Sequence, residues 1–241
     1  MVVLPLDLLR SGAEALGVEL RPDQLGQCDA FAALMLEANR DLNLTRIVEP
    51  REMVTGHFLD SLACFAAMAV PPAARVIDIG TGAGFPGVPV KIARPDLAVT
   101  LLDSSRKKLA FLGRALETLG LEDVELVRAR AEEAGRDPSH RERYEIALAR
   151  AVADMKALVE LGLPLVKFGG ALVAYKSEHI EEELDAARPM IGQLGGKVVN
   201  TARVALPHTD IARKLVVVEK VEQCPKGFPR PYARIKRASK G

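Results

Sequence analysis

The feature that most constrains this chain is a run of glycines set directly behind a short apolar strand. Arg75 to Ile79 reads as a strand, and glycines follow at positions 80, 82, 84 and 87 before a helical stretch running to about Arg94. Glycines so spaced turn the backbone tightly from strand into helix and admit a ligand where a side chain would clash. The same rhythm then repeats. Ala98 to Leu102 is a second strand ending at Asp103, and Ser104-Ser105 can cap a helix whose Leu109, Leu112, Leu116 and Leu119 share one face before Gly120. Val124 to Val127 and Glu145 to Ala149 are the third and fourth strands, separated by a polar stretch from Glu132 to Arg143. Ala157 to Val166 is helical, Gly169-Gly170 turns, and Ala171 to Tyr175 is a fifth strand. Two late strands, near Val198 to Leu206 and Lys214 to Val218, close the domain with no helix between them.

Strands alternating with helices demand a parallel sheet covered on both faces, and a closing pair without a crossover must be antiparallel. The expected fold is α/β: a Rossmann-like, mostly parallel seven-stranded sheet with an antiparallel edge. Residues 1–72 read as a helical extension packed on that core. Leu4 to Leu16 is one amphipathic segment, and Phe31, Leu34, Met35, Ala38 and Leu42 form the apolar stripe of a second. A third helical stretch opens at Glu49-Pro50 and runs through His57 to Ser61 before Pro71-Pro72 ends it. The main domain spans 73–222, and 223–241 is a basic tail.

That tail matters because the rest of the chain is balanced, with 33 Lys+Arg against 32 Asp+Glu. From Cys224 onward it carries Lys226, Arg230, Arg234, Lys236, Arg237 and Lys240 and no acid. Such a segment suits a polyanionic partner, nucleic acid ahead of membrane, or else a solvated end. No apolar run approaches the ~18 residues of a membrane span, and no basic head precedes an apolar core for secretion. Cys28, Cys64 and Cys224 are odd in number and scattered, as expected in a reducing, cytoplasmic setting. His57, His140, His179 and His208 show no metal-ligand spacing, so no metal is expected.

Gly82, Gly84 and Gly87 fit the dinucleotide fingerprint, which leaves a dinucleotide-dependent oxidoreductase open. Two details argue against a diphosphate. Asp78, in the strand, would repel it, and Pro86 has no N–H to offer a phosphate oxygen. An acid followed by glycines suits S-adenosylmethionine, whose ammonium and sulfonium are cationic. Asp103, at the end of the second strand, is expected to accept the ribose hydroxyls.

The sequence resembles the bacterial 16S ribosomal RNA (guanine-N7) methyltransferase G family, also called glucose-inhibited division protein B. The resemblance rests on Asn43 to Thr45, His57 to Ser61, Asp78 to Gly87, Leu101 to Ser104, Arg130 to Glu132, Ala149 to Ala151 and Arg213 to Val217. It implies a class I S-adenosylmethionine-dependent methyltransferase fold and methyl transfer to N7 of one guanine in 16S ribosomal RNA. The implied partner is that RNA, the small ribosomal subunit or its precursor, met by a monomer. Gly80 and Phe85 would line the cofactor, Ala131 and Glu132 would contact its adenine side, and Arg150 would complete the site. With Asp78, Gly82, Gly84, Asp103 and Ser104 these make the expected cofactor set. Two departures stand out: the tryptophan frequent ahead of Asn43 is absent, Glu37 to Asn39 holding its place, and the tail is longer than in several members.

Guanine N7 offers an in-plane lone pair and no proton, so alignment suffices and no general base is obligatory. The sequence agrees. No Asn/Asp-Pro-Pro-aromatic loop follows the fourth strand, where Arg150 to Ala153 stand, and no cysteine is placed as a nucleophile for pyrimidine C5. Lys176, Arg213, Arg230, Arg234, Lys236 and Arg237 are expected RNA contacts. His57 and Asp60, three apart, are expected to pair on one helix face, and Tyr175 or Phe85 could stack on the target base. The remaining alternative is an RNA-binding module on an inactive methyltransferase scaffold.

Overall fold

The computed structural model describes residues 3–238. It opens with helices α1 (Leu6–Ala15) and α2 (Pro22–Leu42), then α3 (Pro50–Met53), a π-helical turn (Val54–Leu59), α4 (Asp60–Leu62) and α5 (Cys64–Ala67). Pro22 and Pro50 each begin a helix, where a missing N–H costs nothing. Asn43, in the left-handed region at φ 49°, stops α2. The Asn39 amide fixes the turn beyond it by donating to the Thr45 carbonyl at 3.0 Å and accepting from the Thr45 N–H at 2.9 Å.

Strand and helix then alternate: β1 (Arg75–Ile79), α6 (Gly87–Ala93), β2 (Ala98–Leu102), α7 (Arg106–Leu119), β3 (Val124–Val127), α8 (Ala131–Ala134), β4 (Tyr144–Arg150), α9 (Met155–Gly162), β5 (Val166–Lys176) and α10 (Glu181–Gln193). The chain continues through β6 (Gly196–Ala205) and β7 (Ala212–Lys220) to α11 (Tyr232–Ala238). The seven strands form one sheet in the order β3-β2-β1-β4-β5-β7-β6. β1 to β5 run parallel, β7 is antiparallel to β5, and β6 is antiparallel to β7 at the edge. The order reverses between β1 and β4, so a crevice opens beyond their carboxyl ends, where such sheets bind ligands.

Three local expectations fail for physical reasons. Gly169-Gly170 is not a turn between elements; it is a kink inside a longer β5, where the pairing with β4 shifts register. A Cβ on Gly170 would stand 2.6 Å from the Glu145 carbonyl oxygen, so glycine is there for close approach. Helix α10 had no counterpart in the expected order, because Pro189 in its interior reads as a breaker. The expected tail is a folded strap. The Arg141 guanidinium donates to the carbonyls of Cys224 at 2.9 Å and Phe228 at 2.6 Å. Farther on, Ile235 is buried with Ala157 and Leu161 of α9. Lys240 lies outside the described residues.

The helical extension and the sheet share one apolar core. Phe31 of α2 meets Phe58, Phe85 and Phe111 at ring-centroid distances of 6.4, 5.5 and 6.3 Å. Each such ring, fully buried, contributes about 1.5–3 kcal/mol.

Candidate active site

Two cavities open along the carboxyl edge of the sheet. The smaller, about 170 Å³, lies between the ends of β1 and β2 (Ile79, Gly80, Leu102, Asp103, Ser104), the entry to α8 (Ala129 to Glu132), and Val152, Leu161 and Tyr232. Gly80 has φ +69°, and a Cβ there would stand 3.3 Å from Val152 Cγ2, filling the space between loop and wall. Asp103 holds the loop in place. One carboxylate oxygen accepts from the Gly82 N–H at 3.0 Å and the other from the Ser105 N–H at 2.7 Å, leaving lone pairs for a ligand. Ser104 is exposed beside it, while Ser105, not Ser104, caps α7 through its hydroxyl.

Asp78 sits behind this loop. It is fully buried, and one oxygen accepts from the Gly87 N–H at 2.8 Å. Its other oxygen has no hydrogen-bond partner, nor has the buried Thr81 hydroxyl. Burial raises the Asp78 carboxyl to about 6, against the pull of the Gly87 N–H and the Arg150 charge. Asp78 therefore ties loop to helix, and it lines neither cavity. Gly87 allows this bond, since a Cβ there would press to 2.4 Å of Leu101 Cδ2 and 2.8 Å of Asp78 Oδ2. Gly84 is likewise packed, against Leu112, Val88 and Phe31.

The larger cavity, about 530 Å³, lies beyond β4 and β5 and is lined by Gly56, His57, Asp60, Arg150, Lys176 and Arg213 among others. Its centre is Asp60, 2% exposed. Arg150 donates to Asp60 Oδ2 at 2.9 Å and to the Gly56 carbonyl at 3.1 Å, and Arg213 Nε donates to Asp60 Oδ1 at 2.8 Å. The expected His57–Asp60 pair does not form. The π-helical turn carries His57 toward Thr45, whose hydroxyl lies 2.8 Å from Nε2, and leaves Asp60 to the arginines. His57 stacks on Phe85 at 4.4 Å, and the Arg150 guanidinium stands 5.3 Å from that same ring. Ala151, directly after Arg150, is held at φ +56°, a conformation that costs an alanine about 1–2 kcal/mol. Lys176 donates to Glu183 and to the Ala153 carbonyl, at 2.5 and 2.8 Å, and Glu183 also accepts from the Met155 N–H.

A model of the rRNA small subunit methyltransferase G (GidB) family matches residues 24–212. The chain belongs to that family. Among its relatives, the ribosomal RNA small subunit methyltransferase G of Roseiflexus castenholzii is 46% identical over 225 residues, covering 93% of this chain and 95% of that protein. The enzyme of the same name from Alkaliphilus metalliredigens is 44% identical, covering 92% and 93%. Solved structures place the fold among the class I methyltransferases. A 16S rRNA (adenine(1408)-N(1))-methyltransferase from Catenulisporales acidiphilia superposes at TM-score 0.53 with 13% identity, covering 64% of this chain and 88% of that one. A predicted O-methyltransferase from Agrobacterium tumefaciens does so at 0.52 with 19% identity, covering 76% and 95%.

For a member of the methyltransferase G family, the expected residues divide between the cavities. Of the expected cofactor set, Gly80, Asp103, Ser104, Ala131 and Glu132 line the smaller cavity. Arg150 instead lines the larger with Lys176 and Arg213, and Asp78, Gly82, Gly84 and Phe85 line neither. Phe85 is 5% exposed and packed between His57 and the core, and the Tyr175 hydroxyl donates to the Ser61 carbonyl at 2.7 Å. Neither ring is free to stack on a base. Arg230, expected as an RNA contact, is paired at 2.8 and 2.6 Å with Glu160, which is 0% exposed. Arg234, Lys236 and Arg237 are exposed on α11. Tyr232 escaped the sequence reading, and Asp60 was expected only to pair with His57, not to join Arg150 and Arg213. Among the described residues no cluster of His, Cys, Asp or Glu could hold a metal, and no helix is long and apolar enough to cross a membrane.

His57 gives the family member a testable acid response. Burial, and secondarily the Arg150 charge, depress the imidazole from 6.5 to about 4. Below pH 6.5 the unfolded chain takes up a proton that the folded one refuses, so this contribution to stability shrinks as pH falls from 6.5 towards 4. His57→Gln, which cannot titrate, is expected to flatten the dependence of Tm on pH in that window. Curves that stay parallel for the two proteins would place the proton elsewhere.

Proposed function

We propose that this protein transfers the methyl group of S-adenosylmethionine to N7 of a guanine in small-subunit ribosomal RNA. Membership of the methyltransferase G family over residues 24–212 carries the proposal. The adjoining cavities support a division of labour: nucleoside of the cofactor in the smaller, target guanosine in the larger. The smaller cavity suits such a cofactor. Its acids, Asp103 and Glu132, favour hydroxyl and amino donors and disfavour a diphosphate, and Gly80 leaves a cradle that a Cβ would fill. This counts against the oxidoreductase alternative.

S-adenosylmethionine, when bound, supplies a methyl carbon activated by its sulfonium. The chain's own residues then have to orient the guanine and keep it in place. Asp103 would hold the ribose hydroxyls, and the Ala131–Glu132 segment would border the adenine. Arg150 and Arg213, fixed by Asp60, present cationic groups at the larger cavity for guanine or phosphate oxygens. His57, neutral at physiological pH, adds no charge beside a guanine that becomes cationic on methylation. We read the protein as a cytoplasmic monomer acting on the RNA or the small subunit.

Incubation of small-subunit RNA, free and assembled, with labelled S-adenosylmethionine tests this, followed by chain cleavage selective for 7-methylguanine. One labelled guanine is expected. Label on another atom, or none on either substrate, overturns the proposal.

A further inference from the structure

The strap that follows β7 ends on the smaller cavity. Pro229 and Arg230 are fastened to the domain at two points. The Pro229 carbonyl accepts from Arg136 Nε at 2.8 Å, and Arg230 grips the buried Glu160 with its backbone N–H and its guanidinium. Two residues later Tyr232 begins α11, and the burial of Ile235 against α9 fixes that helix's rotation. The result is a tyrosine ring, 42% exposed, in the wall of a cavity whose other apolar surfaces are Ile79, Leu102, Val152 and Leu161. The Arg130 guanidinium stands 5.8 Å from the ring centroid. A tyrosine ring in a cavity wall offers a flat, amphipathic surface on which a planar base can pack.

We propose that the strap is part of the cofactor site and that Tyr232 is a binding residue whose ring packs on the adenine of S-adenosylmethionine. The proposal rests on the cofactor assignment above. The adenine would lie between Tyr232 and the aliphatic wall, with Asp103 and the Ala131–Glu132 segment at its polar edges. The ring supplies the contact, so the hydroxyl is dispensable. The strap's grip on Glu160 would then set cofactor affinity from outside the strand ends: binding closes against a segment that is itself ion-paired to the back of α9.

The absence of tryptophan from the sequence makes the test direct. Titration calorimetry of S-adenosylmethionine and S-adenosylhomocysteine should show affinity roughly tenfold or more weaker in Tyr232→Ala, and unchanged within about twofold in Tyr232→Phe. Tyr232→Trp creates a single tryptophan, whose emission should be quenched as S-adenosylhomocysteine saturates the protein. Equal affinity of the parent and Tyr232→Ala, with a silent tryptophan, overturns the role of Tyr232 and leaves the cofactor assignment standing. Failure of the parent protein to bind either compound overturns the assignment and this inference together.

Discussion

Arg230→Ala is expected to destabilise the protein by about 3 kcal/mol, because it leaves the fully buried Glu160 carboxylate without its partner. The magnitude follows from the desolvation of a charge, which a pair offsets and an orphan does not. Opening of the strap would let water reach Glu160 and cap the loss. Urea unfolding checks the value, and the double variant Glu160→Met, Arg230→Met should recover most of it, since removing both charges leaves no orphan. A phosphate contact would behave otherwise. Unchanged stability with weaker, less salt-dependent RNA binding in Arg230→Ala would return Arg230 to the RNA surface.

Asp60→Asn is expected to slow methyl transfer about a hundredfold, the size of effect that follows when a reacting group is displaced by ~1 Å. Asp60 is the one anion joining Arg150 and Arg213 among the contacts described for those guanidinium groups. Asparagine can still accept one hydrogen bond, but it cannot neutralise two cations, and the arginines should drift apart. Steady-state rates, with Tm measured alongside, separate this from unfolding. Full activity in a folded Asp60→Asn protein would show that the arginines hold their places without it.

The sheet was legible because its strands are continuous apolar runs and its turns are glycines, both local signals. Asp103 and Gly80 each directly follow a strand at the end where ligands bind, whereas the Ala131–Glu132 segment, separated from β3 by three residues, was marked by the family resemblance alone. Asp78 was expected to face a ligand, and it lies buried behind the glycine loop, bonded to the Gly87 N–H. The sequence marks a residue as belonging to a strand end, yet it does not say whether the glycine loop folds in front of the side chain or beside it. The Asp60 arrangement was illegible because its partners lie 90 and 153 positions away. A π-helical turn also shifts His57 off the face that ideal helical spacing assigns to it. The anchoring of the basic tail was illegible in its composition: the acid that fixes Arg230 sits in an apolar helix 70 positions earlier, while Arg234 and Arg237 are exposed.

The four phenylalanines at the joint between α2 and the glycine loop have an evolutionary consequence. Phe85 is at once part of the glycine loop and a member of the core that the first helices supply, touching Phe31 and Phe58 from one side and His57 from another. A scaffold with that connection cannot trade its leading helices for another set, as modular enzymes do when they acquire new substrates, without reshaping the loop itself. The leading helices and the glycine loop are thereby inherited as one unit.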